Sequence, residues 1–177
     1  MRAFIAVDVP PPLGSDARSV PPFPGHLTLR FFADLPPEMV PAVVGVLSEV
    51  ARESMPFSIT IAGVGAFPSP RDPKVVWRGI TDGREALCDL VAALDRHLSG
   101  RGIPADARPF VPHLTWFRVR SDRERALARE VLAADAGPSP LSVPVDAIVL
   151  KESTLTRDGP IHRTIARSEL GPPSRSA

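Results

Sequence analysis

The chain has one cysteine, two lysines and no apolar run long enough to cross a bilayer, and each scarcity removes a class of function. A lone cysteine, Cys88, cannot form an intramolecular disulfide, which fits a reducing, cytoplasmic setting. It falls within a helical pattern and reads as a small packed side chain rather than a nucleophile. No stretch approaches the ~20 apolar residues of a membrane span. The amino terminus, MRAFIAVDV, does not follow the charged-then-apolar plan of a secretory signal. Net charge is only +1, so no chain-wide field draws the protein to nucleic acid or membrane, and any polyanion must be recognised by a local cluster. Lys74 and Lys151 are the two lysines, so arginine supplies nearly all the basic residues. Beside the wealth of Ala, Pro, Gly and Val, that bias reflects a GC-rich coding sequence more than a phosphate-binding surface. No glycine-rich loop follows a strand, so nucleoside-triphosphate chemistry of the P-loop kind has no support.

What is present is a repeat. The tripeptide His-Leu-Thr occurs at His26-Leu27-Thr28 and again at His113-Leu114-Thr115, in the apolar, strand-like settings HLTLRFF and HLTWFR. Side chains of a strand alternate between faces, so residues two apart point the same way. That places His26, Thr28 and Arg30 on one face with Leu27, Leu29 and Phe31 on the other. In the second copy His113 and Thr115 share a face opposite Leu114 and Trp116. Trp116 and Phe31 are thereby read as core. Two histidines with hydroxyls beside them are the parts needed to move protons on and off a phosphate ester. A zinc site is disfavoured because each strand offers one imidazole and no carboxylate–histidine pair at helical spacing, so no metal and no cofactor is expected.

The rest of the pattern sets the fold class. Arg2–Val9 reads as a buried strand, the proline-rich stretch from Pro10 to Gly25 as loop, and 36–54 as a helix with Val40, Val43, Val44, Leu47 and Val50 on one side. Strands follow around 57–61 and 74–80. The pattern Asp82-x-x-Glu85 reads as the capping box of a second helix carrying Leu87, Leu90, Val91, Leu94 and Leu98. Ser121-x-x-Glu124 reads as the box of a third, with Leu127, Val131 and Leu132 apolar. Leu141 to Leu150 reads as one strand, and a hairpin through Asp158-Gly159 closes the domain near Leu170. Strands and helices do not alternate regularly, which predicts an α+β fold with largely antiparallel sheets. One domain over 1–170 with a disordered tail at 171–177 is expected.

MRAFIAVD, HLTLRFF, GVGAFPSPRDPKVVWRGI, RPFVPHLTWFR and the closing segment with GPIH together resemble the two-histidine phosphoesterase superfamily. Within it the sequence is most similar to the RNA 2′,3′-cyclic phosphodiesterases, also called 2′-5′ RNA ligases. The resemblance runs from Met1 to about Leu170. It implies a bilobal fold in which two similar lobes with outer helices face each other across a cleft. It also implies that His26, Thr28, His113 and Thr115 line that cleft and work without metal. Arg30 and Arg118 stand where the family carries basic residues. The sequence departs from the family in its short proline-rich segment before His26, in Ala33 where glycine is commoner, and in His162 where an aromatic, usually tyrosine, is found.

These residues predict hydrolysis of 2′,3′-cyclic phosphate ends of RNA or nucleotides. One histidine would act as base and the other as acid, and the threonines would donate to phosphoryl oxygens. The resemblance implies a 2′-phosphate product. Arg30, Arg118 and Phe110 are the candidate substrate contacts, with Phe117 a second ring that could either stack on a base or pack. His97 is read as solvated, and His162 as a residue of the cleft rim. Ligation of RNA halves and non-catalytic binding of an RNA end are the alternatives. RNA ends or small cyclic nucleotides are the expected partners of a monomer that does not engage membranes.

Overall fold

The computed structural model describes residues 1–10, 25–134, 139–157 and 159–172. The expected loop after Pro10 and the tail beyond Pro172 therefore lie outside the described residues, as does Asp158 of the closing turn. The described chain forms eight strands and three helices. They are β1 (Ala3–Asp8), β2 (His26–Phe32), α1 (Val40–Glu53, after a short 3-10 turn at Pro37–Met39), β3 (Phe57–Ser69), β4 (Asp72–Asp82), α2 (Arg84–Ser99), β5 (His113–Arg118), α3 (Asp122–Ala133), β6 (Leu141–Val145), β7 (Ala147–Thr156) and β8 (Gly159–Glu169).

Two four-stranded sheets result, in the orders β2-β1-β7-β8 and β5-β4-β3-β6, and every pairing in both is antiparallel. The expected α+β, bilobal architecture is thus observed, with one sheet per lobe. Neither sheet comes from one half of the sequence, because the first lobe takes strands from both chain ends and the second takes the middle. One core spans both sheets. Leu27, Ile5 and Leu150 from the first sheet meet Ile59, Leu114 and Val143 from the second, under the apolar stripes of α1 and α2. A smaller cluster, Val76, Trp116, Phe117, Ala128 and Val131, seats α3 on the second sheet.

Three local readings need correction. The segment Leu141–Leu150 is not one strand: Val145 pairs with Phe57 in the second sheet, whereas Ala147 pairs with Glu169 in the first. The break falls at Asp146, whose carbonyl accepts from the Leu170 amide at 2.7 Å. Alternation of apolar residues persists through the switch, so the sequence does not betray it. Asp82 does not cap α2, because it belongs to β4 and pairs with Thr60. The cap position is Gly83 at φ +73, where a Cβ would lie 2.3 Å from the Ser58 carbonyl oxygen, so glycine is dictated twice. The Ser121 box, by contrast, is complete in both directions. His97 is not solvated: its two ring nitrogens lie 3.0 and 3.1 Å from Glu49 and Glu53, so it clasps α2 to α1.

Candidate active site

Both motif strands are edge strands. β2 ends the first sheet and β5 ends the second, and the two edges lie against each other. The repeat therefore places one histidine and one threonine from each lobe along the seam. His26 and Thr28 are half-buried between buried Leu27 and Leu29, and His113 and Thr115 between buried Leu114 and Trp116. The alternation expected of the motifs holds this far.

It then breaks, in the same place in both strands. Thr28 pairs with Ala6 and Arg30 with Ile5, leaving Leu29 unpaired. Thr115 pairs with Trp77 and Phe117 with Val76, leaving Trp116 unpaired. Each strand thus carries a β-bulge three residues after its histidine. A bulge turns two successive side chains to one side and reverses the phase beyond it.

Arg30 consequently leaves the face of His26 and Thr28 and points into the core side. It is 8% exposed, ion-paired to Asp95 of α2 at 3.4 Å and near Asp106 at 3.9 Å, and it donates to the Pro104 carbonyl. The expectation that Arg30 meets substrate is corrected: it is a buried tie between β2, α2 and the loop before β5. Phe31, read as core, is instead 40% exposed on the cleft side with the Arg2 guanidinium 5.0 Å from its ring centre. In the second lobe the bulge sends Phe117 inward, buried in the cluster under α3, and turns exposed Arg118 to the side of His113 and Thr115. Phe110 is half-buried and packs against the main core. Of the two arginines predicted to contact substrate, Arg118 is turned to the side of the motif side chains and Arg30 is not.

The two imidazoles are held differently. His113 pairs with Gly79 and rests against Phe67, with ring centres 4.9 Å apart, and against Trp77 at 6.2 Å. Trp77 lies flat over Gly65, where a Cβ would fall 2.2 Å from the indole. The Nδ1 of His113 is 2.6 Å from the Val111 carbonyl oxygen. A carbonyl only accepts, so Nδ1 carries the hydrogen and the neutral ring presents the Nε2 lone pair. Burial pushes the His113 pKa below the ordinary imidazole range, partly offset by that carbonyl. His26 pairs with Asp8, lies tilted over Phe4 at 4.7 Å and meets His162 of β8 edge to face at 5.1 Å. Asp8 in turn is ion-paired to Lys151 at 2.6 Å. The sequence places His162 only at the rim, because its contact with His26 is long-range and periodicity does not reveal it.

Among the described residues no group of three or more His, Cys, Asp or Glu side chains could hold a metal ion. No helix there is long and apolar enough to cross a membrane.

Comparison with known proteins places the chain in a family. Residues 14–156 match the 2′-5′ RNA ligase superfamily. A Methanothermobacter thermautotrophicus protein named RNA 2′,3′-cyclic phosphodiesterase is 34% identical over 92% of this chain and 95% of its own length. An Aeropyrum pernix protein of the same name is 37% identical over 79% of this chain and 78% of its own. A crystal structure from Thermus thermophilus superposes with a TM-score of 0.73 at 25% identity, covering 98% of this chain and all of that one. Escherichia coli LigT, solved with 3′-AMP, shares the fold at a TM-score of 0.69 and 22% identity, over 96% of this chain and 97% of its own. With paired motif strands, a matching superfamily pattern and relatives aligned over most of their length, the chain belongs to the 2′-5′ RNA ligase superfamily of two-histidine phosphoesterases, in the family of the RNA 2′,3′-cyclic phosphodiesterases.

Proposed function

We propose that the protein hydrolyses 2′,3′-cyclic phosphate ends of RNA or nucleotides to 2′-phosphates, without metal, through His113 as base and His26 as acid. The observation that carries this reading is the His113–Val111 contact: it fixes the hydrogen on Nδ1, and burial favours the neutral ring, so Nε2 is a proton acceptor at neutral pH. Water attacks phosphorus opposite the 3′-oxygen while His113 takes its proton. The P–O3′ bond breaks, and His26 delivers a proton to that oxygen. Charge gathers on the non-bridging oxygens, to which Thr28 and Thr115 donate hydrogen bonds and Arg118 adds a guanidinium.

The test is incubation with nucleoside 2′,3′-cyclic monophosphates in EDTA, with the product identified by NMR. A 2′-phosphate formed at an unchanged rate in chelator is expected. A 3′-phosphate would reverse the roles of the two histidines, and activity restored only by added metal would overturn the mechanism. Joining of RNA halves with no hydrolysis of the cyclic phosphate would favour ligation. Tight binding of a cyclic nucleotide without turnover would make the site a binding module.

A further inference from the structure

The two motif strands differ in the residue that pairs with the motif threonine. The residue paired with Thr115 is Trp77, and the residue paired with Thr28 is Ala6. In the second lobe the indole from the neighbouring strand fills the space beside the motif histidine. In the first lobe Ala6 leaves that space open, and a ring from the far strand of the sheet enters it. That ring is His162 of β8, lying edge to face with His26 at 5.1 Å and with Phe4 at 4.9 Å.

We propose that His162 binds substrate, donating a hydrogen bond from neutral Nε2 to a non-bridging oxygen of the phosphate that His26 protonates at its leaving oxygen. The inference deepens the phosphodiesterase reading and rests on it.

Packing alone does not explain an imidazole here. The Nδ1 of His162 is buried with no hydrogen-bond partner among the described residues, a defect that a phenylalanine of the same shape would avoid. An imidazole in such a place is accounted for if its other nitrogen is used, and Nε2 is not among the buried, unpartnered atoms. An unpaired buried acceptor is tolerated better than an unpaired buried N–H. The hydrogen therefore sits on Nε2, which makes that atom a donor.

The surroundings keep the ring uncharged. Protonation would place an N–H on the buried Nδ1, near the Lys151 ammonium of β7. Burial first, and Lys151 second, push the His162 pKa below the ordinary range. Among the described residues, the other charged or titratable groups on this face include His26 of β2 and Asp8 of β1, the latter held by Lys151. Arg2 is another: its guanidinium lies over Phe31, and its carbonyl accepts from Ser153, the residue paired with His162. A neutral donor beside the acid is chemically apt: it binds a phosphoryl oxygen and adds no second cation next to the imidazolium that His26 must become. Reach is also consistent. Oxygens on one phosphorus are neighbours, so rings 5.1 Å apart can serve two of them.

Two measurements test the proposal. In the unaltered protein, imidazole resonances are followed by NMR while inorganic phosphate is added. His162 should shift together with His26 and His113, a readout independent of turnover. With a nucleoside 2′,3′-cyclic monophosphate, His162→Phe keeps the ring packing and removes the donor. It should lower kcat/KM by about 10–100-fold, the scale of a hydrogen bond to a charged group, and His162→Gln should recover part of the loss. A His162 resonance unmoved by phosphate that shifts His26, or a Phe variant with parental kcat/KM, would show that the ring only packs. If the parent turns over no cyclic phosphate, the phosphate titration still decides the question for His162.

Discussion

Leu29 and Trp116 occupy the same place in two copies of one strand, each left unpaired three residues after its motif histidine. The next two positions exchange chemistry between the copies. In the first lobe arginine (Arg30) turns inward and phenylalanine (Phe31) outward; in the second, phenylalanine (Phe117) turns inward and arginine (Arg118) outward. One backbone device therefore gives the cleft a single motif-strand arginine, and buries the other as a structural tie.

The two arginines should fail in opposite ways. Arg30→Met leaves Asp95 half-buried without its partner, and burial already raises that carboxyl's pKa against the pull of Arg30. Breaking such a pair costs about 3 kcal/mol, at the low end for buried pairs because Asp95 and Asp106 keep some water. Thermal or urea unfolding reads this loss, while kcat/KM of the folded protein stays near parental. Arg118→Ala should leave stability within about 0.5 kcal/mol, as exposed substitutions do. It should lower kcat/KM by about 10–100-fold, the equivalent of about 1.5–3 kcal/mol for a charged hydrogen bond. Equal stability losses in the two variants would contradict the assignment.

The exchange also shows what the sequence could and could not reveal. The His26–Thr28 and His113–Thr115 pairs were legible because two-residue periodicity survives up to the bulge. Arg30, Phe31 and Arg118 lie beyond it, where counting by twos predicts the wrong face. The Ser121 box was legible because capping is local, whereas the Asp82 box failed because β4 pairing claims Asp82 and the left-handed Gly83 sets the helix start. The switch of sheets at Asp146 and the arrival of His162 beside His26 are set by strands distant in sequence. No window of local pattern contains them.

Acid should act on His113 in two measurable ways. Its folded pKa is depressed, so the unfolded chain, with an imidazole near about 6.5, binds the proton more readily. The stability linked to this group is full above about pH 6.5 and is lost as pH falls through the folded value. His162, shifted the same way, adds to the loss. The limb of kcat/KM on the acid side should follow the His113 titration and lie below about 6.5. NMR titration of the His113 ring and the rate profile should therefore share one midpoint. An acid limb above that value would assign the base elsewhere.

Gly65 should be irreplaceable for a packing reason. An added Cβ would lie 2.2 and 2.3 Å from two indole carbons of Trp77, and that ring is backed by Phe67 at 5.4 Å and His113 at 6.2 Å. Gly65→Ala should destabilise by about 1–3 kcal/mol, the usual cost of overpacking, and displace His113 enough to lower kcat. Gly45, inside α1 with nothing within 4 Å of an added Cβ, is the control. Gly45→Ala should stabilise by about 0.5–1 kcal/mol through helix propensity. Parental kcat in Gly65→Ala would show that the indole does not brace His113.

The paired-histidine reading makes its sharpest demand in a double substitution. His26→Ala and His113→Ala should each lower turnover by about 10²–10⁴-fold, the usual worth of a general acid or base. If the two act on one phosphate in one transition state, removing the second after the first should cost far less than the product of the single effects. Both single variants should also lose one limb of the bell-shaped profile. His113→Ala loses the acid-side limb, because that limb reports the base, and His26→Ala the alkaline one. Independent, fully multiplicative losses would mean that the two lobes do not converge on one phosphate, whatever the match between their motifs.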